Sequence, residues 1–321
     1  MGIVSHAGAH ASLGIRGIIG RYYRGYDVTL AELYAPKVGR LVPSDQEVEP
    51  YRFTGGVPRL QVQRGELTPR EPEVYEFNIR NEPYEASMHF SRHDWRRDKT
   101  GQIAAKVAQM GMETGRHWDE LLATLIEAGT TELAYDKTAY FASHTIGSRP
   151  DAPTFLNNVT SAQISSLNVA SANNPSQTEL VSIILGAVSH MSGAKDEFGA
   201  PVNGGAKSWY FMVPANMQGN TFGALRSQRI SGAESNPLLV QNYGIDPLVN
   251  QWLTDDDVVY LFRKNSMMPA YFLQEEEAPF LEVFGPGSEY TAFNDKVLFV
   301  SKAVRSVGNG EFLYALRMQL S

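Results

Sequence analysis

The sequence predicts an α+β chain, and three observations carry the prediction. Residues 98–129 place apolar side chains at three- and four-residue steps, the period of one long helix. Residues 51–90 and the C-terminal 286–321 read instead as extended runs with turn chemistry between them. Residues 136–285 mix a capped amphipathic helix with several short apolar strand runs.

The 321 residues are 43% hydrophobic and 20% charged, which suits one large or two ordinary domains with a real core. A net charge of −7 argues against a dedicated nucleic-acid binder, which needs a basic face to release counterions. Cysteine is absent, so no disulfide scaffold or thiolate metal site forms, and a reducing compartment is expected. No apolar run reaches the roughly 20 residues of a membrane-spanning helix.

Residues 1–50 read as an N-terminal arm. No acid precedes Asp27, whereas Arg16, Arg21 and Arg24 do, and these arginines interrupt the apolar run instead of preceding it as in a secretory leader. Leu13, Ile15, Ile18 and Ile19 lie on one side of an amphipathic segment, which we expect to pack on a neighbouring surface as an assembly arm. The proline-rich stretch 36–72 intersperses Arg40, Arg52, Arg59, Arg64 and Arg70 with glutamates and is too polar to hold a core of its own. Within it "RLQVQRGEL" alternates with period two around a Gly turn, predicting an extended hairpin over 51–90. The following "VYEFNIRNEPYEASMHFSR" gives two further strand runs, broken at Pro83. A lone polar hairpin is marginal in water and calls for a partner surface.

The long helix is expected to start at Asp98 as N-cap and stop at Gly129. Ile103, Val107, Met110, Trp118, Leu121, Leu122 and Leu125 form its apolar stripe. About 30 residues at 1.5 Å each extend roughly 45 Å, more than an ordinary globular helix. Gly111 and Gly115 each cost about 1 kcal/mol relative to Ala. Their spacing of four puts both on one face, where a second backbone could approach. Further on, "SQTELVSIILGAVSHMSG" predicts a Ser-capped helix, "KSWYFMVP" a buried strand and "NMQGNTFGALRSQ" a helix behind it. "PLLVQNYGIDPLV", "DDVVYLFRK" and "PAYFLQ" predict strands, and "KVLFVSKAVRSVGNGEFLYALRMQL" a hairpin turning at Gly308-Asn309-Gly310.

Chemistry is sparse along the chain. His89 and His93 fall before the helix, on an expected strand where four residues span roughly 13 Å, too far for one metal. His117 neighbours Asp119 and Glu120, but adjacent helical positions diverge, so an exposed surface is expected. Ser192–Lys195 and Lys99–Gly101 match short pieces of a β-lactamase pattern in reversed order. Asn158-Val-Thr160 would be a glycosylation acceptor only in a secreted protein. The acidic runs Asp255–Asp257 and Glu275–Glu277 lack the spacing of a calcium loop and read as solvated turns or strand ends. "YDKTAYFASHTIG" (135–147) is the most enzyme-like piece, with His144 among aromatics. No catalytic, cofactor-binding or metal residue is assigned, and no cofactor is expected.

The stretches "SRHDWRRDKTG", "YDKTAYFASHTIG", "KSWYFMVPANMQGNTFGALR" and "AFNDKVLFVSKAVRSVGNGEFLYALRM", in this order, resemble the Mu-like prophage major head subunit family, over roughly residues 50–321. A Tyr-Asp-x-x-x-Phe-Phe-x-x-x-His element follows the long helix in that family; here Tyr140 stands for its first Phe, and two residues instead of three separate Phe141 from His144. The resemblance implies a tailed-phage major capsid fold. Residues 1–50 would be the N-terminal arm and 51–90 the E-loop reaching over an adjacent subunit. Residues 91–135 with 286–321 would form a peripheral domain around the spine helix, and 136–285 a mixed α/β axial domain. The implied function is a non-enzymatic head protein. It would self-assemble into hexamers and pentamers of an icosahedral shell around passively contacted double-stranded DNA, with portal, scaffold or decoration proteins as partners and no membrane. Its location would be the virion capsid, with the host cytoplasm during assembly. Inter-subunit contacts would fall on Arg52, Arg59, Arg64, Glu66 and Arg70 of the hairpin and on Arg96, Arg97 and Asp98 at the hinge. Two alternatives are a cellular nanocompartment shell of the same fold and a cytosolic hydrolase using His144 with Asp136.

Overall fold

A computed structural model describes residues 5–56, 60, 73–98, 100–230, 234–264, 266 and 268–321. Helix α1 (Ser5–Leu30) leads through the single turn α2 (Ala35–Val38) into strand β1 (Gly39–Pro43). Strands β2 (Val48–Thr54) and β3 (Val74–Arg80) form a ribbon, followed by β4 (Glu82–Ser91), the short α3 (Arg92–Arg97) and the long α4 (Gln102–Ala128). Next come β5 (Ser143–Thr145), β6 (Thr154–Leu156), β7 (Asn158–Val159), α5 (Gln177–Ser192), β8 (Ser208–Pro214) and α6 (Gln218–Arg226). They are followed by β9 (Arg229–Ile230), β10 (Glu234–Ser235), α7 (Pro237–Val240), β11 (Gly244–Asn250) and β12 (Val258–Arg263). The last elements are β13 (Tyr271–Phe284), α8 (Glu289–Asn294), β14 (Lys296–Asn309) and β15 (Ala315–Gln319).

Two sheets organise the chain. One has the order β1-β13-β14-β4, the other β11-β8-β12-β15-β7. The expected C-terminal hairpin does not form. Strand β14 lies antiparallel between β13 and β4, whereas β15 pairs with β12 and, in parallel, with β7 in the other sheet. The Gly308-Asn309-Gly310 segment therefore marks a change of sheet: β14 is already saturated on both edges, and Phe312 and Leu313 turn into the second core. Two more expectations shift locally. "PLLV" is a helical turn capped by Asn236, whose side chain accepts from the Leu238 amide at 3.1 Å. The strand break falls at Asn81, and Pro83 sits inside β4, an edge strand where its missing N–H removes no ladder bond.

Helix α4 begins where expected, by a slightly different device. Gly101 occupies the N-cap position, while the Asp98 carboxylate accepts from the amides of Gln102 (3.0 Å) and Ile103 (2.9 Å). In α5, Ser176 and Glu179 close a complete capping box. What lies against the glycines of α4 is α1. A Cβ on Gly111 would collide with the Tyr22 carbonyl oxygen, and one on Gly115 would press on the Thr29 side chain. Gly25 makes the reciprocal approach to the Ala108 carbonyl. The apolar side of the expected assembly arm is thus buried within its own chain: Ile18, Ile19 and Tyr22 join Val107, Met110 and Phe299 in one core. Trp118, Leu122 and Ile126, at the other end of α4, belong to the large core of the second sheet. One helix ties the two bodies together.

Candidate assembly surfaces

The ribbon β2–β3 stands on an aromatic seat. Phe53 stacks on Tyr135 (ring centroids 4.3 Å), Tyr135 on Phe312 (5.0 Å) and Phe312 on His144 (3.7 Å). Tyr51 stacks on Phe272 at 4.4 Å and donates to Gln274 Oε1 at 2.9 Å. At the ribbon's outer end the Gly55 amide bonds the Glu73 carbonyl at 2.8 Å. The Glu73 carboxylate accepts from the Ser148 amide and hydroxyl and from the Tyr75 hydroxyl, and these donors, Ser148 first, hold its pKa below the usual carboxylate value. Burial raises Glu197 beside it, and the charges of Glu73 and Asp196 raise it further. Beneath Tyr135 lies Glu311, half-buried, accepting the Tyr135 hydroxyl at 3.0 Å; desolvation pushes its carboxyl up to about 7.

His144 belongs to this seat. It is buried, its Nδ1 lies 2.7 Å from Asp136 and its Nε2 3.1 Å from the Tyr140 carbonyl. Both ring nitrogens are engaged and Phe312 covers the ring, so the imidazole faces no substrate space. The pairing with Asp136 was visible as proximity in sequence; the aromatic stack was not, because Phe53 and Phe312 come from distant segments.

The predicted contact residues separate into two groups. Arg59, Arg64, Glu66 and Arg70 lie outside the described residues. Arg52 is exposed on β2, cross-strand from Glu76. Arg96 and Arg97 are exposed in the last turn of α3, while Asp98 spends its carboxylate on the α4 amides. His89 is on β4, but His93 is in α3 and not on a strand, because the Ser91 side chain accepts from the Asp94 amide and starts a helix there. His117 is half-buried, not exposed: it meets Tyr84 edge-on at 4.4 Å, and burial, then Arg305, bring its pKa down to about 4. The groove beside it, about 460 Å³, runs between α4 and strands β4 and β14. At its floor Arg305 is buried over the Trp118 ring (4.8 Å) and donates to the Thr114 carbonyl at 3.1 Å. Nothing in the one-dimensional pattern signalled Arg305, since its burial follows from α4 crossing β14. Among the described residues no group of three His, Asp or Glu has metal-holding geometry.

Residues 15–173 match the family described as Mu-like prophage major head subunit gpT. The match begins inside α1, so part of it falls on the N-terminal arm, outside the stretch of roughly residues 50–321 that carries the resemblance in the sequence. The major capsid protein of Escherichia phage Mu is 29% identical over 105 residues, 33% of this chain and 34% of that protein. The aligned part thus spans about a third of the length of this curated relative. Among solved structures, the procapsid of bacteriophage JBD30 is similar with a TM-score of 0.51 at 16% identity, covering 96% of this chain and 75% of that one. The capsid of the cyanophage P-SCSP1u gives 0.58 at 11% identity, covering 89% and 87%. At such identities the likeness speaks for fold, and it extends past residue 173 into the C-terminal strands. On the match over residues 15–173 the chain belongs to the Mu-like prophage major head subunit family, and its architecture is the tailed-phage major capsid fold.

Proposed function

We propose that this chain is a major capsid (head) protein that self-assembles into hexamers and pentamers of an icosahedral phage head enclosing double-stranded DNA. The observation that carries the reading is the family match joined to a capsid fold over 96% of the chain. The seated ribbon supports it physically. Its root is fixed by four stacked rings, while its charged outer segment, residues 57–72, has too little apolar content for a core of its own and suits contact with a second copy. Many weak contacts repeated around a closed shell add up to large collective stability.

In this reading residues 1–50 are the arm and 51–90 the E-loop. Residues 91–135 with 286–321 form the peripheral domain and 136–285 the axial domain. Strand pairing favours two changes to these bounds, moving β13, paired with β14, to the peripheral domain and β15, paired with β12, to the axial one. Arg52, Arg59, Arg64, Glu66, Arg70, Arg96 and Arg97 are proposed inter-subunit contacts, and Asp98 positions the hinge that presents the last two. Catalysis has no place in this role, and the enclosed His144 is consistent with that. Portal, scaffold and decoration proteins would be further partners, and the protein would pass from host cytoplasm to virion.

Size-exclusion chromatography followed by negative-stain imaging tests the proposal. Megadalton shells or capsomer rings are expected; a stable discrete dimer at all concentrations would refute it.

A further inference from the structure

Helix α1 turns one face to α4 and leaves the other open. The open face carries Arg16, Arg21 and Arg24 and, towards its C-terminal end, the single acid Asp27, all exposed, and none of the three arginines forms an ion pair among the described residues. Residues 1–26 contain these three arginines and no acid, in a chain whose net charge is −7, so the remainder bears −10. Arg16 to Arg24 spans about 12 Å along the helix axis. Between the arginines the face is bare. Gly14, Gly17 and Gly20 fall at three-residue steps, are exposed, and a Cβ on any of them would meet nothing within 4 Å. Unlike Gly25, Gly111 and Gly115, these glycines are not required by packing inside the chain. Each costs about 1 kcal/mol of helix propensity with no internal return.

We propose that this face of α1 is a contact surface for the phosphate backbone of double-stranded DNA. The chemistry selects the occupant. Self-pairing of α1 with a second copy would set two groups of unpaired arginines against each other, whereas a duplex neutralises them and releases its counterions. The side-chain-free stripe lets a phosphate ridge approach the helix while the guanidinium groups on its flanks reach the phosphates. No base is read, and the surrounding negative charge keeps the contact weak enough for DNA to slide. The inference rests on the head-protein reading for the origin of the DNA, and it orients the α1–α4 side of the subunit toward the shell interior.

The test compares the full-length wild type with the triple variant Arg16→Gln, Arg21→Gln, Arg24→Gln. Binding to a duplex of about 30 base pairs is followed by fluorescence anisotropy as a function of NaCl, with particles imaged in parallel. Three lost phosphate contacts should reduce the log–log salt slope by about 2.7, so that between 50 and 200 mM NaCl the wild type loses roughly 40-fold more affinity than the variant. A second variant, Gly17→Leu, keeps the charges but raises a side chain from the stripe; it should weaken binding and leave the slope nearly unchanged. Equal salt slopes for wild type and triple variant, or no duplex binding by the wild type at low salt, would overturn the inference. A folded triple variant that binds DNA normally but no longer assembles would also overturn it, by making this face an interface between copies. Particles that form normally from both proteins while the slopes are equal sink the inference alone. Absence of particles from both sinks the head-protein reading, and the slope comparison still decides the surface.

Discussion

Gly111 and Gly17 show how one residue type serves opposite ends in two helices. At Gly111 the Tyr22 carbonyl occupies the space of a Cβ, so Gly111→Ala must push α1 off α4. A loss of about 1–3 kcal/mol is expected, read as a lower thermal midpoint. At Gly17 the space is open, and Gly17→Ala should stabilise by up to about 1 kcal/mol through helix propensity. Equal effects of the two substitutions would contradict the packing described. The four-residue spacing of Gly111 and Gly115 announced a close approach in the sequence, but not which backbone would make it. Arg305 and Glu311 were silent for a different reason: burial of a charged side chain depends on which elements cross over it, and no local pattern encodes that crossing.

At the scale of elements, the ribbon's seat is sensitive to protons. Glu311 holds its proton up to about pH 7 in the fold against a reference value of 4.5, with burial as the main cause. A raised carboxyl pKa means the folded state binds the proton more tightly. Its contribution is therefore full below about 4.5 and is lost as pH rises through about 7. Tyr135, Asp136 and His144 face the same carboxyl, and none of them offers it a second fixed charge-neutralising bond. Hydrogen exchange at the Gly55 amide, corrected for intrinsic rate, should quicken between pH 6 and 8 in the wild type. Glu311→Gln, permanently neutral, should remove most of that change; an identical pH profile in the variant would show that Glu311 does not control the seat. The elements themselves were unevenly legible. Helices α4 and α5 and strand β8 followed from periodicity and caps, since those signals are local. The C-terminal hairpin failed because Gly308-Asn309-Gly310 has turn chemistry, while the actual partners of β14 are 20 or more residues away at most positions, on β13 and β4. Parallel pairing of β1 with β13 was equally invisible, because nothing in either strand specifies a partner so distant in sequence.

For the whole molecule, what folds the subunit and what joins subunits are separable. The cores are closed by α4, which shares Val107 and Met110 with one and Trp118, Leu122 and Ile126 with the other. The ribbon's outer segment 57–72 is too polar in sequence to hold a core of its own, so its charges suit a neighbour. Arg64→Glu with Arg70→Glu should therefore leave the far-ultraviolet spectrum and thermal midpoint of the subunit within experimental scatter while sharply lowering the yield of shells. Surface substitutions away from packed positions shift stability by no more than about 0.5 kcal/mol, which sets the tolerance for the first half of that statement. The second half follows from repetition: reversing two charges turns attraction into repulsion at every equivalent contact, and a shell multiplies a small unfavourable term by its number of subunits. Because exposed ionic contacts are screened over about 8 Å at physiological ionic strength, the defect should be largest at low salt and partly relieved as salt rises. Normal particle yield from the double variant at low salt would remove the ribbon tip from the list of contacts. A destabilised subunit would instead mean that the tip packs on its own chain.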